Sequence, residues 1–284
     1  MRNTIRNSII LFAVITICAV WFTLPGRGYV SVTFVSIGQG DGALVTTSGG
    51  RRIMVDSGSA NAKKPSESAM KTYLIQQGIN QIDIIVLSHY HEDHYGGIIG
   101  IAREFSPELI LLPKPVNKAN QKIADEIARQ VGADAQIIYM KMGEGFKLGN
   151  EVYAETIFYD SDTKDENDRS LVTTITCKNT KFLFTGDITT KAEEKILHKV
   201  LAEKLDVDVI KVAHHGSKHS SGTAFFEVTS PEFAVISVGK NMYGHPTQEA
   251  IDRMSQISQI LRTDELGTIE FIVGDNGIKT IKER

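Results

Sequence analysis

Ser88-His89-Tyr90-His91-Glu92-Asp93-His94-Tyr95-Gly96-Gly97 is the stretch on which the fold turns. It follows residues 82–87, which read as a strand buried on both faces, and leads into a helix predicted from about residue 97 to 105. In extended chain His89 and His91 project to the same side and can grip one metal ion. Asp93 and His94 come one turn later, within reach of a second ion. Gly96 and Gly97 let the following helix pack close to the sheet. A single histidine at a strand end is more often structural than a ligand. Four ligand-type side chains between positions 89 and 94 point to a metal centre.

The other histidines sit at comparable places. Of eight in the chain, only His198 falls in a predicted helix away from the loops. His214, His215 and His219 follow a predicted strand near Ala213, and His245 follows one at residues 233–238. Asp187 comes directly after a strand ending at Thr185, and Asp56 ends the third strand. Strands converging on one edge bring such groups together. A carboxylate such as Asp187 can bridge two cations through its two oxygens. Asp56 reads as a partner that orients a ligand histidine. The strand-end position favours His214 over His215 as a ligand. His215 or His245, with the metal, is then expected to neutralise charge developing during hydrolysis. Ser217, Lys218 and Asn241 lie in loops where they can contact a substrate, although ordinary solvated loop groups look the same in sequence.

Outward from this block the chain alternates strands and helices. Residues 29–37, 43–47 and 51–55 read as three antiparallel strands, punctuated by Gly38-Gln39-Gly40-Asp41-Gly42 and Ser48-Gly49-Gly50. A helix is predicted over residues 66–77 with Ser66 as its N-cap and Gly78 as its stop. Further strands are predicted at 109–112, 136–140, 151–158, 171–177, 181–185, 207–212 and 233–238, and helices at 118–131, 189–205 and 247–257. A closing hairpin turns at residues 274–277. The pattern predicts an α/β fold with two sheets between helical layers, an αββα sandwich.

Bulk properties bound the function. The 284 residues are 42% hydrophobic and 23% charged, with no linker-like stretch or fixed-period repeat. One domain is expected over residues 29–284. Ahead of it, Arg2 and Arg6 precede an uncharged apolar run at residues 9–24, ended by Pro25 and Gly26. Residues 1–28 therefore read as an export signal or membrane anchor, with the rest of the chain extracytoplasmic, secreted or held at the cell membrane. Cys18 lies in that run and Cys177 in a predicted strand, so no disulfide pair is expected. Removing Arg2, Arg6 and Arg27 from the 31 basic residues leaves 28 against 34 acidic ones, a formal charge near −6 for the exported part. Such a balance excludes a broad basic nucleic-acid-binding surface. DNA would have to be held locally, by metal and a few loop cations.

His-x-His-x-Asp-His, followed by Gly186-Asp187 and a later histidine, resembles the metallo-β-lactamase superfamily. Val55-Asp56-Ser57-Gly58, Asn167 with Ser170-Leu171-Val172, His214-His215-Gly216-Ser217 and Tyr243-Gly244-His245-Pro246 further resemble the soluble domain of the ComEC competence proteins. That resemblance covers about residue 30 to the C-terminus. It implies the metallo-β-lactamase fold and a hydrolase, thought in that group to act on DNA phosphodiesters. Related secreted enzymes of the fold remove phosphocholine from cell-wall polymers, so a phosphoesterase acting on wall-polymer or phospholipid head groups is an alternative. A non-catalytic binding module with a structural metal is another, although structural sites are closed and this one draws on loops around an open edge. The expected metal ligands are His89, His91, Asp93, His94, Asp187 and His214, holding one or two divalent ions, Zn²⁺ or Mn²⁺. Asp93 is also expected to accept or orient a proton of the attacking water. Where the superfamily commonly supplies a third histidine to the first metal, this chain offers Asn167 and Asp168. A carboxamide is a weaker ligand than imidazole, which makes a harder ion such as Mn²⁺ more acceptable there.

Overall fold

Side chains along a strand point alternately to its two faces, and here both faces are covered. Ile53 and Val55 face the core between two sheets while Met54 faces helices; Phe182 and Phe184 face the same inner core while Leu183 faces the opposite helical layer. The computed structural model describes residues 28–61, 64–132 and 135–283.

The first half supplies β1 (Val30–Phe34), β2 (Ala43–Thr46), β3 (Arg52–Val55), the short pair β4 (Ala60–Asn61) and β5 (Lys64–Ser68), and helix α1 (Ala69–Gln76). It continues with β6 (Ile84–Val86), the single turn α2 (Glu92–Tyr95), α3 (Ile98–Phe105), β7 (Leu109–Leu112), α4 (Lys118–Gln130) and β8 (Gln136–Tyr139). The second half supplies β9 (Gly145–Leu148), β10 (Val152–Phe158), β11 (Val172–Cys177), β12 (Thr180–Phe184), α5 (Thr190–Lys199) and α6 (Ala202–Leu205). Then come β13 (Val209–Lys211), α7 (Thr223–Thr229), β14 (Phe233–Ile236), α8 (Gln248–Met254), β15 (Gln259–Arg262), α9 (Thr263–Leu266) and the hairpin of β16 (Ile269–Gly274) and β17 (Gly277–Glu283).

One sheet runs β17-β16-β1-β2-β3-β6-β7-β8 and the other β15-β14-β13-β12-β11-β10-β9. Rings from both sheets close the space between them: Phe34 meets Phe184 at 5.7 Å and Phe271 at 5.9 Å, and Phe182 meets Phe271 at 5.8 Å. Outer cores form under helices on each side, with Met70, Leu74, Ile101 and Phe105 over the first sheet and Ile196, Phe225, Phe226 and Met254 over the second. The architecture is the predicted αββα sandwich.

Each sheet is antiparallel in one part and parallel in the other. The runs β3-β6-β7-β8 and β12-β13-β14-β15 are parallel. In parallel sheets ligand sites form beyond the carboxyl ends of the strands, where loops leave in a common direction. Asp56 follows β3, His89 follows β6, Asp187 follows β12, and His215 follows β13.

Several local expectations shift. Ser68, not Ser66, caps α1, accepting from Lys71 N at 3.1 Å, because residues 64–68 are extended and paired with β4. The helix expected over residues 189–205 breaks into α5 and α6, since Val200 and Leu201 adopt extended angles. That break returns Leu205 and Val207 to the same core as Ile196. Strands β9 and β15 and helices α7 and α9 are additional. The segment expected to be an anchor, residues 1–28, lies almost wholly outside the described residues. Among those described, no helix is long and apolar enough to cross a membrane.

Candidate metal centre

The His-rich stretch leaves β6 and passes through His91, which is extended, into the turn α2. Two outside contacts fix its path. Asp41 N donates to Asp93 O at 3.1 Å, and Gly40 passes so close that a Cβ there would lie 2.4 Å from the same oxygen. Gly40 also holds φ +130°, so a side chain is excluded twice over.

His94 is fully buried and held from behind. Its Nδ1 lies 2.8 Å from Asp56 Oδ2, and Asp56 also accepts from Ser88 N at 2.7 Å and Ser88 Oγ at 2.6 Å. The carboxylate therefore accepts a hydrogen bond from Nδ1–H, and Nε2 faces the opposite side. His215 is arranged alike: Nδ1 donates to Ser237 O at 2.8 Å, which leaves Nε2 free. His215 Nε2 stands 3.3 Å from Asp93 Oδ2 and 3.5 Å from Asp187 Oδ2, and His94 Nε2 stands 3.3 Å from Asp187 Oδ2. One atom from each of Asp93, His94, Asp187 and His215 lies within 4.8 Å of all the others. The Nε2 atoms of His94 and His215 are buried without a hydrogen-bond partner. Buried nitrogens are not ordinarily left so. Two imidazoles and two carboxylates around one point fit a divalent cation.

His89 and His91 stand beside this group. His89 Nε2 is 3.1 Å from His91 Nδ1, and the His89 and His94 rings are 4.1 Å apart. Burial and the neighbouring His94 hold the His89 imidazole well below its usual pKa, neutral as a ligand must be. Burial also pulls on His94 and His215, but the carboxylates of Asp187 and Asp41 outweigh it and raise both well above the usual value. The same imidazoles, with Lys211, overcome the effect of burial on Asp187 and keep it well below the ordinary carboxylate range.

Beneath the group lie two residues that sequence reasoning passed over. Asp41 is buried, with Oδ1 at 3.4 Å from His215 Nδ1. Lys211, also buried, closely contacts Asp41, donates to Gly186 O at 2.9 Å and stands 3.5 Å from Asp187 Oδ1. The signal for Lys211 was present: one charge in the otherwise apolar run Val209-Ile210-Lys211-Val212-Ala213. Asp41 stood in a glycine-rich turn that looked merely like punctuation.

The structure places His215, and not His214, in the four-residue group. The expectation assumed that strand geometry continues to residue 214. Instead His214 and His215 hold φ +51° and +53°, consecutive left-handed residues that reverse the chain. The reversal turns the His215 ring inward, 5.5 Å from His94, and leaves the His214 ring 5.4 Å from that of His245. His245 is half-buried and stays outside the group. Asn167 begins a turn packed on the His-rich loop, where Glu166 Oε1 accepts from Tyr90 N at 3.2 Å, and its own Oδ1 is buried without a partner. Asp168 instead accepts from Thr189 N at 2.8 Å at the start of α5. Ser217 and Asn241 are occupied within their own loops: Ser217 Oγ accepts from His219 N, while Asn241 binds backbone at both ends of its amide. Lys218 is exposed.

Comparison with known proteins bears on the family and the fold. Residues 36–240 match the family described as the metallo-beta-lactamase superfamily. The chain is 28% identical over 256 residues to ComE operon protein 3 of Bacillus subtilis and 30% identical over 256 residues to Competence protein ComA of Neisseria gonorrhoeae. Those alignments cover 84% and 89% of this chain but 32% and 34% of the relatives, so the chain spans about a third of their length. Among solved structures, a metal-dependent hydrolase of the beta-lactamase superfamily superposes with a TM-score of 0.56 at 13% identity, covering 87% of this chain and all of that one.

Proposed function

This chain belongs to the metallo-β-lactamase superfamily, and from that premise we propose that it is a metal-dependent phosphodiesterase acting on DNA outside the cytoplasm. The observation that carries the reading is the convergence of Asp93, His94, Asp187 and His215 beside His89 and His91. A divalent metal bound there supplies the Lewis acidity that makes water a nucleophile near neutral pH. The chain's own residues do the rest. Burial works against ionisation of Asp93, the half-buried member of the group, but the imidazoles of His215 and His94 beside it outweigh that and hold it ionised. It orients the attacking water and accepts its proton. Asp187 turns Oδ2 to the imidazoles and Oδ1 to Lys211, so both oxygens are fixed. Burial and the nearby His214 lower the pKa of His245. A neutral imidazole at the rim can donate a hydrogen bond to the leaving oxygen. The metal is zinc or manganese, and Asn167 is the feature that favours the harder ion.

A DNA substrate is supported by the likeness to a relative named as a competence protein, and the placement outside the cytoplasm by Arg2 and Arg6 ahead of the apolar run at residues 9–24. The test is metal analysis of the purified protein alongside assays on DNA, a model phosphodiester and phosphocholine. His89→Ala and Asp187→Ala are expected to lower DNA cleavage by roughly a hundredfold or more and to lower metal content. Near-normal activity with unchanged metal would sink the assignment. Protease added to intact cells should degrade the domain; its survival while a known surface protein is cleaved would refute the location.

A further inference from the structure

Four rings run outward from the metal-binding group to the surface. His214 lies 6.3 Å from buried His215, His245 lies 5.4 Å from His214, and Tyr243 lies 6.0 Å from His245, centroid to centroid. The row ends in the open: Tyr243 is 75% exposed and its neighbour Met242 fully so. A cleft of about 330 Å³ is lined by Gln39, Glu92, Asp93, Lys240, Met242 and Tyr243, among others. The same space therefore touches a member of the metal group, an exposed ammonium and an exposed aromatic face.

The loop that carries these groups is shaped from within. Asn241 Nδ2 donates to Gly239 O at 2.9 Å and His245 O at 2.8 Å, while its Oδ1 accepts from Tyr243 N at 3.0 Å and His245 N at 3.1 Å. One amide satisfies four backbone groups and holds Tyr243 outward before any ligand arrives. Large apolar side chains are common singly on surfaces; a preorganised pair at the mouth of a reactive cleft is not.

Resting on the phosphodiesterase reading of this centre, we propose that Tyr243, with Met242 beside it, is the platform on which an unpaired base of the substrate stacks, while Lys240 meets a flanking phosphate. The site then takes single-stranded nucleic acid in preference to duplex. A duplex keeps the faces of its bases covered by their neighbours, so a ring at the cleft mouth can stack only on a base that is unpaired. Charge favours the same mode. With 31 basic against 34 acidic residues, the chain carries no net positive charge to draw in a phosphate backbone, and affinity must come in part from another source. Stacking supplies it and tolerates any sequence, since every base has a π-face. A quaternary-ammonium head group would instead need several aromatic faces turned to one point. Here the His214 and His245 rings stand at 79° to each other, and only Tyr243 of the row is open.

The experiment compares a short thymidylate strand, an abasic strand with the same number of phosphates, and the thymidylate strand annealed to its complement. Binding to the full-length protein is read by fluorescence anisotropy in chelator, and cleavage by the metal-loaded protein is read separately. Wild type is expected to bind the thymidylate strand about tenfold more tightly than the abasic one. Tyr243→Ala should erase that difference, Tyr243→Phe should keep it, and the duplex should be cut more slowly than the single strand. Equal binding of the two strands by wild type, a preference that survives Tyr243→Ala, or equal cleavage of duplex and single strand would overturn the platform. Base-dependent binding without cleavage of any strand would overturn the hydrolase reading and leave the platform standing.

Discussion

Lys211 holds a full charge inside the protein, between the two sheets and directly under the ligand group. An isolated buried ammonium is costly, and burial does pull its pKa down. Asp41 and Asp187 outweigh that and hold it above its ordinary value. In exchange, the ammonium fixes Asp187 Oδ1, so that Oδ2 faces His94 and His215. Lys211→Met keeps most of the volume and removes the charge, leaving only the His94 and His215 imidazoles to offset Asp41 and Asp187. In chelator the variant is expected to lose about 3 kcal/mol of stability. Added zinc should recover part of the loss, because a divalent cation supplies charge to the same carboxylates. Urea unfolding with and without zinc checks this; equal stability of variant and wild type in chelator would refute the ion-pair account.

Two loops beside the centre are held by single side chains from neighbouring positions. Asn241 knots the loop that presents Tyr243. Glu193, in the first turn of α5, reaches the loop that follows His215 and accepts from Ser221 N at 2.5 Å and Gly222 N at 2.8 Å. Burial pushes its carboxyl up to about 7, despite those two bonds. Between the ordinary value of 4.5 and about 7, the folded protein keeps a proton that the unfolded chain has released. This group therefore makes stability fall as pH rises through that window, and the effect is complete above it. Glu193→Gln lacks the titration. Between pH 4.5 and 7.5 the stability of wild type should decline relative to the variant by on the order of 3 kcal/mol. Urea unfolding of both proteins in chelator across that range measures the difference, and parallel pH profiles would show that Glu193 titrates normally.

At the scale of the molecule, the centre exists because two half-parallel sheets face each other with their parallel strands ending at one edge. The candidate ligands come from β6 and the turn after it in one sheet, and from behind β12 and β13 in the other. A bound cation consequently ties the two sheets together. Metal that binds only the folded state stabilises it, by about 3 kcal/mol when present at roughly a hundred times its Kd. Chelation should lower the melting temperature, and the melting temperature should climb with added zinc or manganese. A transition indifferent to both ions would mean that the group does not hold metal.

What the sequence by itself determined was local. The His89–His94 block, the carboxylates at strand ends and the succession of strands and helices are patterns of neighbouring residues, and they sufficed for the sandwich and for the edge where the candidate ligands gather. The break at Val200, the cap at Ser68 and the exchange of His214 for His215 were decided by tertiary structure. At residues 214 and 215 the chain accepts two consecutive left-handed residues, uncommon for any side chain larger than glycine, and the reversal brings an imidazole to Asp93 and Asp187. Lys211 and Asp41 are 170 positions apart in sequence and meet only when the sheets pack. A charge on an apolar strand can be read from the sequence, but the carboxylate that makes its burial tolerable belongs to the other sheet.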